Sequence, residues 1–220
     1  MNFFHKMILW IGTRIYPYKI YGKENIPEGG AVIPYNHFSV MDPFFIRHAY
    51  KGKICFPAKI ELFKNKFFAN LLRGCGAIPV DRANPGVETM LTAIKTLKNG
   101  DKLVISPEGT RNKTGSLDFL PFKEGTVLFA VKGKAPIVPC IVAAPAKPFK
   151  RTNIVIGKPF DFSEYYGKRL TDEDLKKLNA VLVEKMKETQ TEFLAFLADK
   201  KKKKKKRKKD GGRVNEDARA

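Results

Sequence analysis

"AVIPYNHFSVMDPFF", residues 31–45, decides how this chain is read. The run AVIPY is apolar, short and followed by polar residues, the pattern of a buried strand. Asp42-Pro43 ahead of two phenylalanines has the form of an N-cap with proline at the first helical position. Between strand and helix lies a short loop with Asn36 in front, then His37, and Asp42 five residues after it. A histidine within reach of a carboxylate is half of a proton-transfer device. The end of a strand in an α/β sheet is where ligand sites gather.

Working outward, the same alternation repeats. Strands are expected at 53–58, 77–80, 103–106, 137–143 and 153–157. One helix is expected through Leu62, Phe63, Phe67, Leu71 and Leu72. A second runs through Val87, Met90, Leu91, Ile94 and Leu97, closed by Asn99-Gly100, and a third covers 124–132. Thr171 with Asp174 forms a capping box, and Leu175, Leu178, Leu182, Met186, Phe193 and Leu197 then carry one apolar face. The order predicts an α/β fold: a single domain with a mostly parallel mixed sheet flanked by helices.

The chain has 220 residues and a formal charge of +20. Ten of its Lys and Arg residues form an unbroken run at 200–209, and the remainder is basic too. Such a balance points to anionic partners: a phospholipid surface, a phosphorylated metabolite, an acidic protein or nucleic acid. The run has no interleaved aromatics, so base stacking and specific nucleic-acid recognition are not expected. No apolar stretch reaches the ~18 residues that cross a bilayer. The N-terminus lacks the apolar region and cleavage site of a secretion signal. Phe4, Met7, Ile8, Ile11 and Ile15 nevertheless recur at helical spacing, with Trp10, Tyr16, Lys6 and Arg14 beside them. That is the composition of a helix lying in a membrane interface. Three parts are therefore expected: an amphipathic membrane-associating helix over 1–17, the folded domain over 18–199, and a disordered polybasic tail over 200–220. Cys55, Cys75 and Cys140 fit no C-x-x-C pattern and read as buried small hydrophobes in a reducing compartment.

Three strand ends carry candidate chemistry. The first is the His37 loop. "GCGAIPVDR" (74–82) ends in Asp81 and Arg82. "LVISPEGTRNKTGSL" (103–117) brings Glu108, Gly109, Thr110 and Arg111, and "PFKEGT" (121–126) adds Lys123 at a helix start. Arginine offers a planar fork for phosphate oxygens, glycine lets the backbone close in, and a helix N-terminus favours anions.

Four ordered blocks, NHFSVMD (36–42), GAIPVDR (76–82), PEGTR (107–111) and APIVPCIV (135–142), resemble those of the glycerolipid acyltransferases. The compact bacterial 1-acyl-glycerol-3-phosphate acyltransferases are the most similar in appearance. Pro79 departs from the larger apolar or aromatic residue often found in the second block. The resemblance implies acyl transfer from a thioester, acyl-CoA or acyl carrier protein, to the hydroxyl of lysophosphatidic acid. It implies no cofactor beyond that co-substrate and no metal. His37 and Asp42 would be the base dyad. Arg82, Glu108, Gly109, Thr110, Arg111 and Lys123 would hold the acceptor, with Asn36 and Ser39 supporting the loop. Asn36 and backbone N–H groups of 38–41 are open to either loop-holding or oxyanion stabilisation. A thioester is already activated, so no enzyme nucleophile is required, and the chain has no G-x-S-x-G elbow. The acceptor alcohol must lose a proton, and an imidazole, with an ordinary pKa near 6.5, is mostly neutral at pH 7. "ELFKNKFFANLL" (61–72) is the candidate lining for a fatty chain.

Two other readings stand beside this one. The acceptor is glycerol 3-phosphate or another lysophospholipid, or the chain is a non-catalytic module for anionic lipid or nucleic acid. The membrane reading places the protein on the cytoplasmic face of the cell membrane, peripheral or monotopic. Oligomeric state leaves no mark on the sequence.

Overall fold

The computed structural model describes residues 10–50, 52–81 and 86–216, with side chains described to Lys204. Arg82, Phe4, Met7 and Ile8 lie outside the described residues.

Four parallel strands form the main sheet, in the order β2 (Ala31–Pro34), β5 (Lys102–Ile105), β3 (Ile54–Lys59), β4 (Ala77–Val80). A second sheet holds β1 (Tyr18–Tyr21), β7 (Thr152–Ile156) and β6 (Cys140–Val142), with β6 antiparallel to β7. The sheets meet along β2, through bridges Val32–Ile137 and Tyr35–Cys140. Parallel neighbours need crossovers, and helices supply them: α2 (Asp42–Arg47), α3 (Lys66–Gly74), α4 (Val87–Lys98) and α5 (Gly125–Gly133) follow β2, β3, β4 and β5 in turn. A helical segment at 10–15, α1, precedes β1, and α6 (Asp172–Glu216) ends the described chain.

Side chains alternate across the sheet, as the pleat requires. Ala31, Ile33 and Tyr35 face a core that includes Phe45 and Ile46 of α2 and, at its edge, Leu71 and Leu72 of α3. Val32 and Leu103 face the opposite core, built from α4, α5 and the Leu178–Leu182–Met186 face of α6. Phe45 and Ile46 are fully buried. Each such side chain contributes roughly 1.5–3 kcal/mol, which anchors the short helix that Asp42 begins. Pro79 is tolerated because β4 is the edge strand of its sheet, where a missing N–H breaks no inner ladder.

The structure departs from the expected elements in two places. The apolar pattern over 62–72 is split: a 3-10 turn at Ile60–Phe63 ends, and Asn65 Oδ1 accepts from Phe67 N and Phe68 N to start α3 afresh. Strand β1 is an addition, since YKIY alternates too briefly to stand out in the sequence. The basic run falls within α6, which is assigned to Glu216. Adding residues to an existing helix needs no burial, and lysine is a good helix former. The Thr171–Asp174 capping box is present, with Thr171 N donating to Asp174 Oδ2 and Asp174 N to Thr171 Oγ1.

Buried Lys102 clips the loop before β2. Its Nζ donates to the carbonyls of Pro27 and Gly29 and lies over the Tyr50 ring. Burial pushes its pKa down. All three cysteines are free and buried. Among the described residues, no helix is long and apolar enough to cross a membrane.

Candidate active site

The five-residue spacing of His37 and Asp42 folds the loop back on itself. Asp42 Oδ2 lies 3.0 Å from His37 Nδ1 and accepts from Phe38 N and Ser39 N, each at 2.7 Å. A carboxylate only accepts, so Nδ1 carries the proton and Nε2 is left with its lone pair. Asp42 is fully buried and His37 is 12% exposed, so the pair is shielded but reachable. Asp42 is the first residue of α2, with Met41 before it, and Oδ1 has no hydrogen-bond partner. The expected N-cap is therefore replaced by a cap on the loop: Oδ2 turns backward to the N–H groups that precede the helix. Ser39 Oγ accepts from Met41 N. The N–H groups of Phe38, Ser39 and Met41 are thus spent within the loop rather than turned to an oxyanion.

Three long-range ties hold this loop against the sheet. Asn36, buried at the end of β2, exchanges both amide hydrogen bonds with the Val142 backbone on β6, at 2.9 and 2.7 Å. Glu108 Oε1 accepts from His37 N, and Oε2 from Leu120 N, both at 3.1 Å. Burial pushes the Glu108 carboxyl above its ordinary range, and the two N–H donors partly offset that. Asn112 N donates to the His37 carbonyl at 2.7 Å. Its side chain donates to Ser116 O and Asp118 O and accepts from Thr114. Asn112 is a buried hub that the sequence reading did not single out; Asn-Lys-Thr-Gly reads only as a turn. Glu108 thus spends both oxygens on backbone N–H groups.

His37 opens onto a cavity of about 320 Å³. Gly109 and Lys123 line it with His37, and Tyr35 packs edge-on against the imidazole, ring centroids 5.3 Å apart. The far wall is apolar, with Pro57, Val80 and Phe129. None of residues 61–72, the expected fatty-chain lining, contributes; Phe67 and Phe68 of α3 face solvent instead. Ser106 Oγ, on the cavity wall, is buried without a partner. A hollow of about 540 Å³ between β7 and α6 contains none of residues 36–42 or 106–112.

Gly109 has φ +64°, a left-handed conformation natural to glycine. A Cβ there would lie 2.9 Å from Lys123 Cε. The Lys123 backbone is fixed from the same turn, its N–H donating to the Pro107 carbonyl at 2.8 Å. Thr110 and Arg111 follow and are exposed, outside the cavity lining. Of the three candidate cations, Lys123 shares the cavity with His37, Arg111 is exposed and does not line it, and Arg82 falls outside the described residues.

This arrangement offers a base, a carboxylate that orients it, and a cation across a half-apolar cavity. Residues 17–143 match the family model described as Acyltransferase. The 1-acyl-sn-glycerol-3-phosphate acyltransferase of Bacillus subtilis is 35% identical over 182 residues, covering 78% of this chain and 87% of that protein. The enzyme of the same name from Helicobacter pylori is 34% identical over 173 residues, covering 69% and 73%. The crystal structure of the 1-acyl-sn-glycerophosphate (LPA) acyltransferase PlsC from Thermotoga maritima superposes with a TM-score of 0.64 at 26% identity, covering 87% of this chain and 80% of that one.

Proposed function

The chain belongs to the acyltransferase family, and from that premise we propose that it acylates the sn-2 hydroxyl of 1-acyl-glycerol 3-phosphate, giving phosphatidic acid. The donor is a thioester, acyl-CoA or acyl carrier protein. The observation that carries the reading is the His37–Asp42 pair opening onto a cavity that also holds Lys123. Names of the Bacillus and Helicobacter relatives support the acceptor.

The acceptor hydroxyl attacks the thioester carbonyl while its proton passes to His37 Nε2. Asp42 holds Nδ1–H and stabilises the imidazolium. The tetrahedral intermediate collapses with cleavage of C–S, and the departing sulfur takes the proton back from Nε2. Every proton and electron pair is accounted for, and no covalent enzyme intermediate is required. Lys123, with Arg111 and Arg82, neutralises the acceptor phosphate. Ser106 Oγ, lacking a protein partner, is placed to take a hydrogen bond from substrate.

The basic run and α1 serve membrane contact, which brings the enzyme to its lipid. Juxtaposed cations contribute ~1 kcal/mol each at an anionic surface. This reading puts the enzyme at the cytoplasmic face of the cell membrane.

The test mixes purified protein, lysophosphatidate and each thioester in turn, then measures phosphatidate and free thiol. One-for-one production is expected. Thiol release without phosphatidate, or glycerol 3-phosphate consumed instead, would displace the acceptor. His37→Ala should lower turnover by roughly 10²–10⁴ with thermal stability kept; wild-type turnover in that variant would remove His37 from the role of base.

A further inference from the structure

A turn far from the catalytic loop in sequence carries an aromatic ring that the fold does not use. Lys147 and Lys150 bridge across a tight turn, with Lys150 N donating to the Lys147 carbonyl at 3.1 Å. Pro148 occupies the second position and Phe149 the third, where φ is +59°. Proline followed by a positive φ is the pattern of a type II turn, in which glycine or asparagine is the usual third residue. A phenylalanine here accepts backbone strain, and the residue is 80% exposed, so little burial offsets it.

The turn is not isolated. Phe149 N donates to the Ile15 carbonyl at 2.7 Å, which seats the turn on the end of α1. That segment exposes Trp10, Ile11 and Ile15, with Arg14 over the Trp10 ring. Its Gly12 lies against Met41, the residue before Asp42, and Val40 beside it is 55% exposed. Trp10, Ile11, Ile15, Phe149 and Val40 are thus exposed on adjoining segments next to the His37 loop. Lys147, Lys150 and Arg151, all exposed, flank Phe149 along the chain with positive charge. Aromatic and aliphatic tips flanked by Lys and Arg match an anionic bilayer interface, apolar below and negative above.

We propose that the Lys147–Lys150 turn is a membrane-insertion point: Phe149 enters the headgroup region of an anionic phospholipid bilayer and, with α1, sets the His37 loop against the lipid surface. The inference rests on reading the protein as an enzyme of lipid substrates, but its test does not depend on turnover.

The full chain is assayed on phosphatidylcholine vesicles with and without phosphatidylglycerol. Phe149→Gly relaxes the turn while removing the ring, so thermal stability should hold or rise while vesicle partitioning falls about tenfold or more. Replacing Lys147, Lys150 and Arg151 by glutamine should weaken binding to the anionic vesicles alone. The single tryptophan, Trp10, allows a direct reading: Phe149→Trp in a Trp10→Phe background should shift the indole emission to the blue on vesicles and be quenched by brominated acyl chains. With detergent-dispersed lysophosphatidate, Phe149→Gly should keep wild-type turnover. Undiminished partitioning of Phe149→Gly, together with unshifted emission from the Phe149→Trp reporter, would overturn the proposal. So would a loss of thermal stability that accounts for the loss of binding, or retention of the wild type by an acidic carrier protein and not by vesicles.

Discussion

Asp42 spends its two oxygens unequally. Oδ2 accepts from the imidazole and from two backbone N–H groups, whereas Oδ1 accepts nothing. One atom thus shapes the loop and orients the base, and the two duties can be separated by substitution. Asp42→Ala leaves the Phe38 and Ser39 N–H groups unpaired, and each part-buried donor costs about 1–3 kcal/mol. Urea unfolding should show a loss of about 2–4 kcal/mol, with turnover down at least a hundredfold. Asp42→Asn keeps an oxygen for those donors, so most of the stability should return. Its neutral amide stabilises an imidazolium poorly, so turnover should stay low; recovery of both together would mean that Asp42 only shapes the loop. The spacing of this pair was legible because its geometry is local, set by five residues and a proline. Glu108 was legible as a site residue but not in its partners, because the N–H groups it binds belong to residues 71 and 12 positions away. Asn112 left no signal, since a buried asparagine and a turn asparagine read alike.

Among the elements, the segment from the end of β5 to the start of α5 lines part of the His37 cavity. It turns at Gly109, runs through Asn112 and returns to fix Lys123 N on the Pro107 carbonyl. Gly109→Ala would strain the positive φ and push on the Lys123 side chain. The expected result is a rise of about tenfold in the acceptor KM with kcat less affected, one lost charge-assisted contact being worth about 1.5 kcal/mol. An unchanged KM would place the phosphate away from Lys123. Strands were legible because the inner ones are short, apolar and ended by polar residues; β4 matches its expected bounds, and α4 and α5 lie where the periodicity put them. The break at Asn65 was missed because a capping asparagine inside an apolar pattern looks like one polar position of a continuous helix. The solvent-facing ring pair of α3, Phe67 and Phe68, was read as pocket lining for the same reason: periodicity gives a face but not what it meets.

For the molecule as a whole, the last buried side chain of α6 among the described residues is Phe193, and Lys200 places its ammonium over the Tyr21 and Phe196 rings. Deleting residues 201–220 therefore removes charge and spares packing. Thermal stability should be unchanged, while partitioning onto anionic vesicles should fall by tenfold or more and lose much of its salt dependence, even if only half of the cations engage at ~1 kcal/mol each. Equal binding by the shortened chain would leave membrane contact to α1 and the Phe149 turn. The loop bearing His37 is pinned by Asn36 to Val142, 106 residues later, and by Glu108 and Asn112 in between. A chain still emerging from the ribosome thus holds its histidine without the supports that aim it. On the proposed function, the base would be aimed only once synthesis has passed the strand that carries Val142.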